Sequence, residues 1–306
     1  MLYMSIRFTH LEQALLRTLA YFDLFDYPLS CNQLYLLNAC QNTSESEIIK
    51  CLHSNKMSDY IGSSDDYYYF KGRDEIVEKR KCEELYAKKM KDLAYDTARI
   101  VRYLPFVRGI YISGDLSKGV ANQNSDIDFF IITAHKRVYI CKLFLAIFRR
   151  LRFPRNYKIL CFNYLVSEQH LEMELKNDFI ATEVACLVPI YCKELFHRFL
   201  EENKWVRRYI PRYELVNNGS YCIEKKPNLL KAILEFPLRA SFADVFDLLL
   251  RRFWYYFWSF KYKHNQTIKD LLLDGLKTDY NKAHGYDTSS VVMRKFKKRL
   301  CDLGVA

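Results

Sequence analysis

Two short stretches bring chemistry-bearing residues close together in the chain. The first is Ile112-Ser113-Gly114-Asp115. The second, after the ten-residue loop 116–125, is Asp126-Ile127-Asp128-Phe129. In an extended strand residues i and i+2 face the same way, so Asp126 and Asp128 project together and Ile127 and Phe129 project oppositely. Two carboxylates this close repel one another unless a cation lies between them. A hard cation such as Mg²⁺, bound by one or two carboxylates and completed by phosphate oxygens, suits the pair. The glycine-containing turn before them allows close approach of backbone to a phosphate. Lys118, in the same loop, can neutralise phosphate charge. A metal with such a clamp serves phosphoryl or nucleotidyl transfer.

An Asp-x-Asp pair alone is commonly a strand edge with solvated acids. The flanking residues sharpen it. The run SGDLSKGVANQNSDIDFFIIT resembles the signature of the DNA polymerase β-like nucleotidyltransferase superfamily: a hydrophobic residue, Gly, then Gly or Ser, about ten loop residues, and Asp-hydrophobic-Asp on the next strand. The resemblance covers residues 100–170, and the chain as a whole is similar to bacterial proteins built around such a domain. It implies that Asp126 and Asp128 are the catalytic, metal-binding pair. It also implies that the turn at Gly114, with Asp115, Ser117 and Lys118, holds the nucleotide phosphates. The implied cofactor is Mg²⁺. The implied reaction moves an NMP from an NTP to an acceptor hydroxyl on a small molecule, a protein or an RNA end.

Two positions depart from the pattern. Asp115 stands where the family has Ser or Gly, and an ionised aspartate cannot donate to phosphate as a serine does. Many members carry a third carboxylate on a later strand, where this chain offers Asn163. An asparagine can coordinate Mg²⁺ through its carbonyl but adds no charge and cannot act as a base. These departures favour a second reading, a non-catalytic nucleotide- or partner-binding member of the superfamily.

The elements that must position these residues can be read from periodicity and caps. Thr9 caps a helix over 9–22, with Leu11, Leu15, Leu16, Leu19 and Phe22 on one face. Ser30 caps a second helix with Leu34 and Leu37 inward. Ser44 and Glu47 form a capping box for a third. The alternating stretch MSDYIGSSDDYYYFKG reads as a hairpin with its turn in Gly-Ser-Ser-Asp-Asp. Three short helices and a hairpin predict a winged-helix-like domain over residues 1–75. A solvent-facing helix over 76–100 follows, with Ile76, Leu85, Met90, Leu93 and Ile100 in its periodicity. The nucleotidyltransferase core is expected over 101–170, as a mixed sheet containing 108–113, 127–133 and 157–166, with a helix between the last two strands. Residues 171–306 are expected to form a helical C-terminal region, with 277–290 as loop. The fold class is therefore α+β.

Half of the 306 residues are hydrophobic and 16% are aromatic, which excludes a disordered chain. The apolar runs 139–148, broken by Lys142, and 253–260 are shorter than the roughly 20 residues a membrane span needs. The N-terminus lacks the pattern of a signal peptide, so a cytoplasmic protein without membrane association is expected. The ten cysteines are scattered, without a CxxC pair, and read as reduced thiols.

The net charge of +11 is uneven: residues 1–80 hold 8 basic and 11 acidic residues, and residues 251–306 hold 12 and 5. A basic C-terminal half suits a polyanion such as a nucleotide. The acidic N-terminal segment counts against a third reading, a DNA-binding winged-helix regulator, because DNA contact needs several Lys or Arg on phosphates. His135 and His284 are further candidate substrate contacts. The run FWYYFWSF (253–260) can stack a base or pack a core. Lys295, Lys297, Lys298 and Arg299 form a basic run on the last helix.

Overall fold

Three reciprocal caps start the chain's first three helices. Thr9 accepts from Glu12 N while Glu12 reaches back to Thr9 N, opening α1 (His10–Asp23). After the short strand β1 (Leu29–Ser30), Ser30 and Gln33 do the same for α2 (Cys31–Leu37), and Ser44 and Glu47 for α3 (Glu45–Leu52). Each pair satisfies two amide donors that the first helical turn would otherwise leave open. The hairpin follows as β2 (Ile61–Ser64) and β3 (Tyr67–Phe70). Its turn is the two residues Asp65 and Asp66, both at positive φ (49° and 66°). That is the backbone a two-residue hairpin loop requires. Gly62 and the two serines expected in the turn belong to β2. The strands pair in the order β1-β3-β2.

The computed structural model describes residues 8–217, 219–239, 242–282 and 287–305. Helix α4 (Glu75–Val101) runs 27 residues, about 40 Å. Its buried face is lined by Ala87, Met90, Ala94, Ala98 and Val101, whereas Leu85 and Ile100 are exposed. The expected periodicity was built on large apolar residues. Ile76 and Met90 are buried as expected, and the rest of the contact toward the helix C-terminus uses mainly alanines, which let the helix lie close to its neighbours.

The second sheet comprises β4 (Val107–Ile112), β5 (Ile127–Thr133), β6 (Leu160–Ser167), β7 (Val188–Tyr191) and β8 (Tyr280–Lys282), in the order β7-β4-β5-β6-β8. It is mixed: β5 and β6 run parallel and the other pairs antiparallel. The short α5 (Gly114–Ser117) leads out of β4, and α6 (Val138–Arg152) crosses between β5 and β6. The class is α+β.

The two edge strands correct the expectation of a wholly helical C-terminal region. Residues 188–191 lie in a continuous apolar run that reads equally as buried helix or buried strand. Helix α7 (Asp178–Cys186) stops just before it. Pro189, which cannot donate to a ladder, is tolerated because β7 is an edge. Strand β8 falls in the expected loop: three residues held by pairing Tyr280 with Val166, Asn281 with Leu165 and Lys282 with Tyr164.

The remaining helices are α8 (Lys193–Glu202), α9 (Leu229–Glu235), α10 (Phe242–Lys261), α11 (Gln266–Asp274) and α12 (Thr288–Leu303). The two faces of the sheet serve two cores. Ile127, Phe129 and Ile131 pack with α4, α6 and α10. Tyr111, Phe130 and Ile132 pack in the core that also holds α1, α7, α8 and α12. That second core runs unbroken from the N-terminal helices to the last one. No helix among the described residues is long and apolar enough to cross a membrane.

Candidate functional site

Alternation along β5 decides where the acids point. Asp128 shares its face with Phe130 and Ile132, toward α1 and α7. Asp126 stands just before the strand and is exposed. A ligand atom from each of Asp126, Asp128 and Cys161 lies within 4.8 Å of the other two. Cys161 arrives because β6 runs parallel to β5 and pairs it with Asp128.

Burial first, and then the Asp126 carboxylate, push the Asp128 carboxyl up to about 7; Glu183 and Asp115 add to the effect. Burial, and after it the same two carboxylates, push the Cys161 thiol well above its ordinary range. The thiol therefore keeps its proton and donates to the acid pair. The carboxylates suit a hard divalent cation, whose binding would relieve their mutual repulsion. The thiol is a soft donor and a poor ligand for such an ion.

The turn after β4 closes on Asp128. Ser113 N donates to Asp128 O at 2.9 Å. Gly114 has φ +67°, and a Cβ placed on it would stand 2.7 Å from Asp128 Oδ2. Glycine is thus required twice over, by the left-handed backbone and by the close approach of the carboxylate. Asp115 is exposed in the first turn of α5.

Ser117 is buried, and its hydroxyl donates to Gly114 O at 2.6 Å. Lys118 Nζ lies 2.7 Å from Glu183 Oε1 and 3.2 Å from Gly114 O. Burial opposes the Lys118 charge, but the Glu183 carboxylate outweighs it and raises the ammonium's pKa. In this arrangement Ser117 and Lys118 brace the turn. Tyr27 OH donates to Lys118 O, tying the N-terminal unit to the same loop.

Ser113, Gly114, Asp115, Lys118, Asp128 and Glu183 border a cleft of about 460 Å³, whereas Asp126, Ser117 and Cys161 are not in its lining. Asp128, Phe130 and Tyr164 form its floor, with Gly114, Asp115 and Lys118 at one side. Phe22, Phe25 and Tyr27 wall it from the N-terminal unit, and Ile180, Glu183 and Val184 from α7. The cleft combines the Asp128 carboxylate, a lysine, a glycine turn and aromatic walls, with Asp126 beside Asp128 but outside the lining.

Other expected residues lie elsewhere. His135 is exposed in the turn beyond the far end of β5, whose last residue lies about 17 Å along the strand from Asp128. His284 falls outside the described residues, as does the side chain of Asn163. The backbone at Phe162–Asn163 bulges, two residues of β6 facing one of β5. The aromatic run 253–260 lies on α10, across the sheet from the cleft. Lys295, Lys297 and Lys298 are exposed on α12, and Arg299 pairs with Asp23 at 3.1 Å. Cys161, Glu183 and Tyr27 were not singled out in the sequence. Glu183 alone left a signal, as the one charge in the apolar run 179–192.

No family model, curated protein or solved structure matches this chain.

Proposed function

We propose that the chain is a Mg²⁺-dependent nucleotidyltransferase of the DNA polymerase β-like superfamily, moving an NMP from an NTP to an acceptor hydroxyl. One observation carries this reading: Asp128, its charge disfavoured by burial and by Asp126, rests against a glycine turn at the floor of a nucleotide-sized cleft. Asp126 and Asp128 would hold the cation, which supplies charge neutralisation to the triphosphate. The amides opening α5 would face the phosphates, and the Lys118 ammonium would join them on release from Glu183. Phe25, exposed at the cleft wall, offers a face for a base. The N-terminal helices and hairpin form, on this reading, a winged-helix unit that closes the cleft rather than binding DNA.

A second reading is a nucleotide binder without transfer. Asp115 in the first turn of α5, and Lys118 committed to Glu183, favour it, since both weaken a phosphate grip.

Labelled NTPs incubated with the protein, Mg²⁺ and cell extract separate the two. Transfer of label to an acceptor, absent in Asp128→Asn, is the expected result. Nucleotide binding with no transfer and no pyrophosphate release would establish the second reading. Absence of nucleotide binding would overturn both.

A further inference from the structure

Helix α10 is apolar on two sides. Ala243, Asp247 and Trp258 are buried against the body of the protein, with Trp254 beside them. Phe242, Phe246, Leu249, Phe253, Tyr256 and Phe260 stand in solvent, each between 38% and 75% exposed. Their spacing alternates four and three residues over the whole helix. At 100° per residue all six fall within about 40° of one line. That is a coiled-coil seam, the pattern of a helix that packs lengthwise on another helix. A helix apolar all round is normally covered all round.

We propose that a second copy of this chain covers the seam, α10 packing antiparallel on α10 across a twofold axis. The seam reads the same in both directions about position 251. An antiparallel copy therefore stacks Phe242 on the partner's Phe260, Phe246 on the partner's Tyr256 and Leu249 on the partner's Phe253. A twofold contact must be self-complementary, and this pairing meets that requirement.

The area agrees. The six side chains together expose the equivalent of about three and a half whole residues, about 700 Å² at ~200 Å² each. The flanking Val245 and Phe257 raise this to roughly 900 Å². A stable pair buries about 800 Å² per partner. Arg252 borders the seam, Lys263 and Lys261 lie over the Phe260 and Phe257 rings at its end at 5.4 and 5.9 Å, and among the described residues no acid lies on it. The face lies across the sheet from the cleft, so pairing leaves both clefts open, and the proposal does not depend on the nucleotidyltransferase reading.

Light scattering and sedimentation of the full chain at micromolar concentration test it. The expected mass is twice 36.6 kDa. The double substitution Leu249→Glu, Phe253→Glu should give monomer, weakening association at least about a hundredfold, with unchanged helical circular dichroism. Tyr256→Lys, at an exposed position outside the core, should weaken it at least about tenfold. A photo-crosslinker at position 260 should trap the partner near 242, and trapping near 260 would overturn the antiparallel arrangement. A monomeric wild type, or a dimer indifferent to these substitutions, would overturn the proposal. So would a monomer that floats with phosphatidylserine vesicles, which would make a bilayer the occupant.

Discussion

Asp128 concentrates the chemistry of the cleft in one side chain. In the folded protein its carboxyl titrates near 7, against about 4 when unfolded. The fold therefore holds this proton more tightly than the open chain does. The stabilisation is complete below about pH 4 and is lost as pH rises through about 7. Asp128→Asn cannot ionise, so without divalent cations it should lack that loss. Its stability should exceed wild type at about pH 8 by on the order of 1–3 kcal/mol, with a smaller excess at about pH 5 and little difference below about pH 4. Thermal unfolding across that range checks this, and an equal pH slope in both proteins would contradict it. The same substitution should abolish Mg²⁺-dependent nucleotide binding in calorimetry. Asp115→Ser acts oppositely. Asp115 is exposed and lies outside the Asp126–Asp128–Cys161 cluster, so it adds negative charge without being one of the grouped ligands. Its replacement should raise nucleotide affinity several-fold; loss of Mg²⁺-dependent binding would show it to be a ligand.

At the scale of elements, Asp247 shows how a helix is set by a distant residue. Its Oδ1 accepts from Tyr139 N at 2.9 Å and Ile140 N at 2.8 Å, satisfying open amides in the first turn of α6. Asp247→Ala should cost about 1–3 kcal/mol, and Asp247→Asn, which keeps an acceptor, less; chemical denaturation measures both, and an Asn variant as damaged as the Ala variant would contradict capping. Nothing near Tyr139 in the chain announces this cap. The three N-terminal caps were legible because Thr9, Ser30 and Ser44 each sit three residues before their Glu or Gln partner. Strand β5 was legible from its apolar run. The buried face of α4 was legible only at Ile76 and Met90, because alanines carry little hydrophobic signal, and β7 was not, because a short strand apolar on both faces looks like helix. The three polar residues of β8 have only backbone pairing to define them. In the cleft the same division holds. Gly114, Asp126 and Asp128 sit at a local spacing, whereas Cys161 and Glu183 are brought in by β6 and α7, through contacts that no local window contains.

For the whole molecule, the cleft exists because the N-terminal unit is locked to the C-terminal helices. Arg212 does much of this. It is 9% exposed, and its guanidinium donates to Tyr35 O, Cys40 O, Gln41 O and Thr43 O at 2.7–3.1 Å. It also lies over the Tyr35 ring at 4.2 Å. One carbonyl in the last turn of α2 and three of the α2–α3 connection thus have their donors in one side chain about 170 residues away. Arg17–Asp178 at 2.7 Å supports the same junction nearer solvent, where a pair contributes little. Arg212→Met keeps much of the apolar stem but removes every donor. It should cost about 3 kcal/mol, since unpaired buried carbonyls are expensive. The loss should be local: amide exchange should accelerate over 31–52 while β5 and β6 stay protected. Phe22, Phe25 and Tyr27 wall the cleft from this unit, so nucleotide affinity should fall with it, although Arg212 does not line the cleft. Lysine at 212 supplies one cation without the fork and should recover only part of the loss. If Arg212→Met left exchange over 31–52 unchanged, the four hydrogen bonds would not be what fixes the N-terminal unit, and the shared apolar core between α1 and α12 would have to hold it alone.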